Sequence, residues 1–169
     1  MFLKNLIVFI LNLGMNYFKL IPIFIFTSLC YSQSESNYYN IIDSVSELRI
    51  EKDIKKLVSF GTRHTLSDTL SNSTGIGAAR RWIRKSFKEI SSNCDNCLDV
   101  FYQKNYFKKN KRRLVNDVWI NNVVAIQRGK TNPNRFIIMS GDIDSRVSDS
   151  NDFISLSPGA NDNASGMRS

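Results

Sequence analysis

One histidine and three cysteines are all that the chain offers of the softer metal ligands. His64 alone cannot make a metal site; beside Gly61 and Thr65 it reads as a turn brace that works through hydrogen bonds. Cys30 falls in the N-terminal segment, which leaves Cys94 and Cys97 in the run SNCDNC. With no second CxxC and no histidine near it, this pair lacks the partners of a four-ligand zinc site. Nor does it open a helix, the setting that lowers the pKa of a redox thiol; it falls between a helix and a strand. A small structural disulfide, Cys94–Cys97, is the expectation, with redox chemistry and half a zinc site as the alternatives. Long apolar runs are missing too. Met1 to Leu13 and Leu20 to Leu29 are each short for a membrane span of roughly 20 residues.

Acidic residues are absent before Glu35, and this turns the N-terminus into a targeting segment rather than fold. If Met15 is the start, Lys19 forms the basic flank and Leu20 to Leu29 the apolar stretch. Ser32 and Cys30 are the small residues before a cut at Gln33. The expected organisation is a signal peptide over 1–32, a flexible mature N-terminus over 33–43, and a folded domain over 44–169. Export to the periplasm or the outside follows. The chain as a whole carries a formal charge of +8, of which Lys4 and Lys19 supply two, so the mature chain is left with +6. The run KKNKRR, Lys108 to Arg113, is the densest basic cluster. No interleaved aromatic platform or recognisable module accompanies it, so it reads as a solvated hairpin loop and not as a nucleic-acid surface.

What is present is enough for one globular domain: 42% hydrophobic and 11% aromatic residues can fill a real core. Ser44 with Glu47 three residues on looks like a capping box opening a first helix. That helix carries Val45, Leu48, Ile54, Leu57 and Val58 and ends at Gly61. Thr74 is placed to cap a second helix, from about Gly75 to Ile90. Ile76, Ala79, Trp82, Ile83 and Phe87 line its inner face, and Arg80, Arg81, Arg84, Lys85 and Lys88 its outer one. The period then changes from 3.6 to 2, giving strands from Leu98, over Val115 to Ile126, and over Arg135 to Ile143.

Chemistry concentrates after the third of these strands. Phe136 to Met139 is apolar on both faces, as a covered central strand would be, and it leads into GDIDSR, Gly141 to Arg146. Alternation puts Asp142 and Asp144 on one face, at the carboxyl end where open α/β sheets bind ligands. Asp162 follows in PGANDNASG, Pro158 to Gly166, where Gly159 and Gly166 let backbone approach closely. Any one of these carboxylates alone is an ordinary turn former or cap. The ordered set is far more specific.

These residues resemble the secreted di-zinc exopeptidases of metallopeptidase family twenty-eight, which include bacterial leucyl aminopeptidases, aminopeptidase Y and glutaminyl cyclases. The family pattern is a strand ending in G-H-x-D-S, then P-G-A-x-D-(D/N)-x-S-G; here these read GDIDS and PGANDNASG. GTRHT at Gly61 and GIGAARRWI from Gly75 to Ile83 are similar to upstream stretches of bacterial members. The resemblance implies a three-layer α/β/α domain with a mixed sheet, truncated here after its third strand. It implies zinc, two ions per complete site, and peptide N-termini as substrates, with no nucleic acid and no membrane span after signal cleavage. Asp162 would bridge the two ions, and Asp144 would orient the ligand two residues before it. Asp142 stands where the family has a histidine, a change that adds negative charge and favours harder cations.

The family's general-base Glu, a neighbouring Glu ligand, a further acidic ligand and a last histidine have no counterpart in these 169 residues. An inactive, truncated aminopeptidase is therefore the expectation. The alternatives are a non-catalytic remnant, cyclase chemistry on the same scaffold, and an exported basic binding module.

Overall fold

A computed structural model describes residues 35–110 and 114–167. The expected targeting segment, Cys30 and the tip of the basic run fall outside the described residues. The chain forms two compact units, 1–46 and 47–169.

In the first unit, helix α1 spans Glu35–Asp43 where a flexible stretch is expected. No glycine or proline interrupts ESNYYNIID, and Ile41 and Ile42 add apolar residues to an otherwise polar stretch. Ser44 closes this helix: its hydroxyl donates to the Ile41 carbonyl at 2.7 Å and its N–H to that of Asn40 at 3.2 Å. The hydroxyl thus ends one helix instead of forming the expected box with Glu47.

The second unit opens with α2, Glu47–Val58, which turns Leu57 fully inward. Gly61 ends it with a φ of +68°, a region that costs glycine little, and donates its N–H to Val58 at 2.9 Å. Helix α3, Gly75–Ser92, has three of its first free N–H groups satisfied from outside. Gly75 donates to the Phe60 carbonyl, Ile76 to the Ser67 hydroxyl and Gly77 to the Asp68 carbonyl. Thr74 holds the cap position by backbone, but its hydroxyl turns to Ser71, so Ser67 does the capping expected of Thr74.

Strands β1, Leu98–Phe107, and β2, Val118–Gln127, pair antiparallel, with Leu98 opposite Gln127 and Phe107 opposite Val118. Their connection holds the basic run. Cys94 and Cys97 form a disulfide in the turn between α3 and β1. The core gathers Leu57, Phe60, Ala78, Ala79, Ile83 and Ala164, with Ile54, Trp82, Phe87, Val123 and Ile143 packed against it. Each large side chain fully buried there contributes about 1.5–3 kcal/mol.

The described residues are thus mixed α/β, helices beside a two-stranded antiparallel sheet. No helix among them is long and apolar enough to cross a membrane. Two expectations need correction. Arg135 to Ile143 joins no ladder, and Phe136, Ile137, Ile138 and Met139 are 78–92% exposed. A run apolar on both faces is buried only when strands flank it and helices cover it, and no described element does either. Arg80, placed on the outer face of α3 by its charge, is buried, with 6% exposure. At ~100° per residue it lies ~40° from Ile76, inside the apolar stripe.

Candidate functional site

Arg63 is the centre of the region that carries the acidic motifs. After Gly61 turns the chain out of α2, the Arg63 side chain runs inward and becomes fully buried. Its guanidinium donates to the carbonyls of Leu57 at 2.9 Å, Ile143 at 2.8 Å, Pro158 at 2.7 Å and Gly159 at 3.0 Å, with a longer contact to Gly61 at 3.4 Å. Only a planar fork with five N–H groups can serve so many directions at once.

Ser145 completes the junction. Its hydroxyl accepts the Arg63 N–H at 2.9 Å and donates to the Ser157 carbonyl at 2.5 Å, while its own N–H reaches the Arg63 carbonyl at 3.4 Å. Thr62 repeats the link, donating to the Ser155 carbonyl and accepting the Ser157 N–H. Three stretches distant in sequence, 61–63, 143–145 and 155–159, are therefore held in one knot. His64 extends it: the Leu66 N–H donates to Nδ1 at 3.0 Å, so Nε2 carries the proton and donates to the Ser150 carbonyl at 3.1 Å.

The Asp162 loop hangs between two fixed points. At one end Gly159, φ +50°, is gripped by Arg63. A Cβ there would collide with the Asp162 carbonyl and the Ser145 side chain. At the other end Ala164 is fully buried in the core and donates its N–H to Gly159 at 3.1 Å. Between them Asp162 is exposed, and the Asp162–Asn163 peptide is cis.

Asp144 is half-buried and close enough to Arg63 to oppose the larger effect of burial, which pushes the guanidinium pKa down. Asp142 is exposed. The shared face argued for Asp142 and Asp144 rests on strand geometry that this segment does not have.

The knot brings the stretches bearing Asp144 and Asp162 together, but it does not gather a metal centre. Among the described residues no group of three or more His, Cys, Asp or Glu is arranged to hold a metal ion. Catalytic zinc takes three protein ligands plus water, so the described residues do not by themselves fit one. Sequence reasoning singled out the aspartates and passed over Arg63, although GTRHT displayed it between the glycine that ends α2 and the brace His64.

Comparison with known proteins finds relatives named for zinc. The chain is 43% identical over 132 residues to a protein named probable zinc metalloprotease from Leptosphaeria maculans, covering 78% of this chain and 30% of that one. It is 44% identical over 126 residues to one so named from Pyrenophora teres f. teres, covering 75% and 26%. A third of that name, from Pyrenophora tritici-repentis, is 42% identical, again over 75% of this chain and 26% of the relative. The chain thus spans less than a third of the length of these relatives. No family model matches it, and neither does any solved structure. The similarities support a zinc metalloprotease family.

Proposed function

We propose that this chain supplies the Asp162-bearing part of an exported zinc-dependent aminopeptidase, within a three-layer α/β/α domain. The observation that carries the reading is the knot. Arg63 and Ser145 bind the GDIDS stretch and the PGANDNASG loop to each other, as a site drawing ligands from both would need. In this reading Asp162, with Asp142 at the position of the family's histidine, would contribute to holding zinc, and Asp144 would orient Asp142. Zinc bound there would polarise the scissile carbonyl and acidify a water. The remaining ligands and the general base come from outside these 169 residues, so no catalytic step is assigned to the residues at hand. Support for export comes from the disulfide, which suits an oxidising compartment. Peptide N-termini are the proposed substrates.

On their own the 169 residues are inactive in this reading, since the described ones hold no three-ligand cluster. The test uses a chimera in which this chain replaces the matching part of the Leptosphaeria maculans relative. Chelator-sensitive cleavage of leucine p-nitroanilide is expected, with none of its N-acetylated form. Asp162→Asn should bring turnover to background, and Asp144→Asn should cost roughly 10–100-fold, as loss of a ligand-orienting partner does. Cleavage of blocked peptides at internal bonds would leave a zinc protease but remove the aminopeptidase. Chelator-sensitive turnover by the pure 169-residue chain would overturn its inactivity.

A further inference from the structure

A second site lies apart from the metal reading and does not depend on it. Between α3 and the facing side of the β1–β2 hairpin lies a cavity of about 210 Å³. Arg80, Arg81, Lys104, Tyr102, Asn121 and Thr69 line it. Three of these are cations and none is acidic.

Arg80 is the unusual member. It is buried to 6% exposure, its Nε is fully enclosed without a partner, and it makes no hydrogen bond or ion pair among the described residues. Burial pushes its guanidinium pKa down, with Tyr102 acting the other way. A buried charge left uncompensated is costly, and proteins pair such charges.

Nothing nearby relieves it. Arg81 points its guanidinium at the carbonyls of Thr69, Leu70 and Ser71, adding charge to the wall while remaining occupied itself. Arg84, one turn on from Arg80, lies 5.0 Å from the Tyr102 ring centre and also has a buried Nε without a partner. Lys104 and Asn121 sit directly opposite each other across the β1–β2 ladder. The buried Oδ1 of Asn121 is likewise unpartnered, and turning the amide by 180° presents its NH₂ group instead. Three cations and an amide thus line the cavity, with Arg84 behind Tyr102 and no acidic residue in the lining.

We propose that this cavity binds a small oxyanion, with Arg80 as its main ligand, Lys104 at its rim and the Asn121 amide as a further donor. The guanidinium fork matches two oxygens of a phosphate or a carboxylate equally well in kind. Size limits the occupant to inorganic phosphate, a phosphate monoester head or a short carboxylate.

The experiment is titration of the full chain, dispersed at low concentration, with sodium phosphate, then acetate, then chloride at matched ionic strength. The heat of binding is followed. One saturable site is expected, with a heat that chloride does not reproduce. Arg80→Met keeps the apolar stem and should abolish the response. Exposed Lys104→Ala and Lys104→Glu should weaken it, the reversal more than the deletion, and these decide the matter if the Arg80 variant does not fold. Saturation by phosphate alone assigns a phosphate ligand, and saturation by acetate a carboxylate. An equal response to chloride, no saturable binding, or binding unchanged in both Lys104 variants would overturn the site.

Discussion

Arg63 shows what a single residue contributes when it carries the connections of three segments. Its guanidinium is hydrogen-bonded to backbone carbonyls, with Asp144 near enough to interact with its charge, so its worth lies largely in satisfied polar groups and in position. Arg63→Lys keeps the charge but replaces the fork by a point that cannot reach Leu57, Ile143, Pro158 and Gly159 together. Each buried carbonyl left without a donor costs roughly 1–3 kcal/mol. A loss of about 3 kcal/mol or more is expected, read in the chimera from the urea midpoint at unchanged slope. A loss below about 1 kcal/mol would mean the knot closes without it. His64 is a milder case whose state is directly visible. Long-range proton–nitrogen correlation spectra should show the Nε2–H tautomer, and the Nδ1–H form would contradict the Leu66 and Ser150 contacts. The aspartates of the proposed site stand out in the sequence because they fall in an ordered pair of glycine-containing motifs. Arg63 was not, because what marks it is burial among carbonyls, and a sequence does not display burial of a charged side chain. Arg80 escaped for the same reason.

Elements obey more local rules, and here the sequence was read more successfully. α2, α3 and the β1–β2 pair follow from apolar periods of 3.6 and 2, and Gly61 stops α2 where a positive φ is needed. The failures are at boundaries, where one hydroxyl chooses between neighbours: Ser44 closes α1, and Ser67 replaces Thr74 at the start of α3. The loop before α3 is itself held by an aspartate. The Asp68 carboxylate accepts the N–H groups of Ser71 and Leu70, which hold it below its ordinary 3.8. Asp152 is held low by Ser155, through hydroxyl and N–H, and by the Ile154 N–H. Both carboxylates regain their ordinary pKa on unfolding. Their support is therefore complete above that value and lost as pH falls below it through the lowered folded values. The acid limb of the stability curve should fall from about pH 4 downwards, and Asp68→Ala with Asp152→Ala should flatten it. A limb unchanged in the double variant would assign acid lability elsewhere.

At the scale of the whole molecule, the run Phe136 to Met139 decides behaviour. Four consecutive apolar side chains stand exposed, and Ile154 and Leu156 add to them. A patch of this kind with unpaired backbone beside it is a template for association. The isolated chain is expected to self-associate, to bind a hydrophobic dye, and to melt without a sharp transition. A monomer with a cooperative melt would contradict this. The same run reads as a strand apolar on both faces, and the relatives are more than three times as long as the part matched here. The proposed three-layer domain would make this run a covered central strand. The two states give Ile138→Lys opposite signs. In the isolated chain the added charge sits in water and should reduce association, as seen by sedimentation. In the chimera the same lysine would lie in a covered sheet without a partner and should lower both yield and melting temperature. If the substitution improves both proteins, the run is surface in both, and the proposed central strand is wrong.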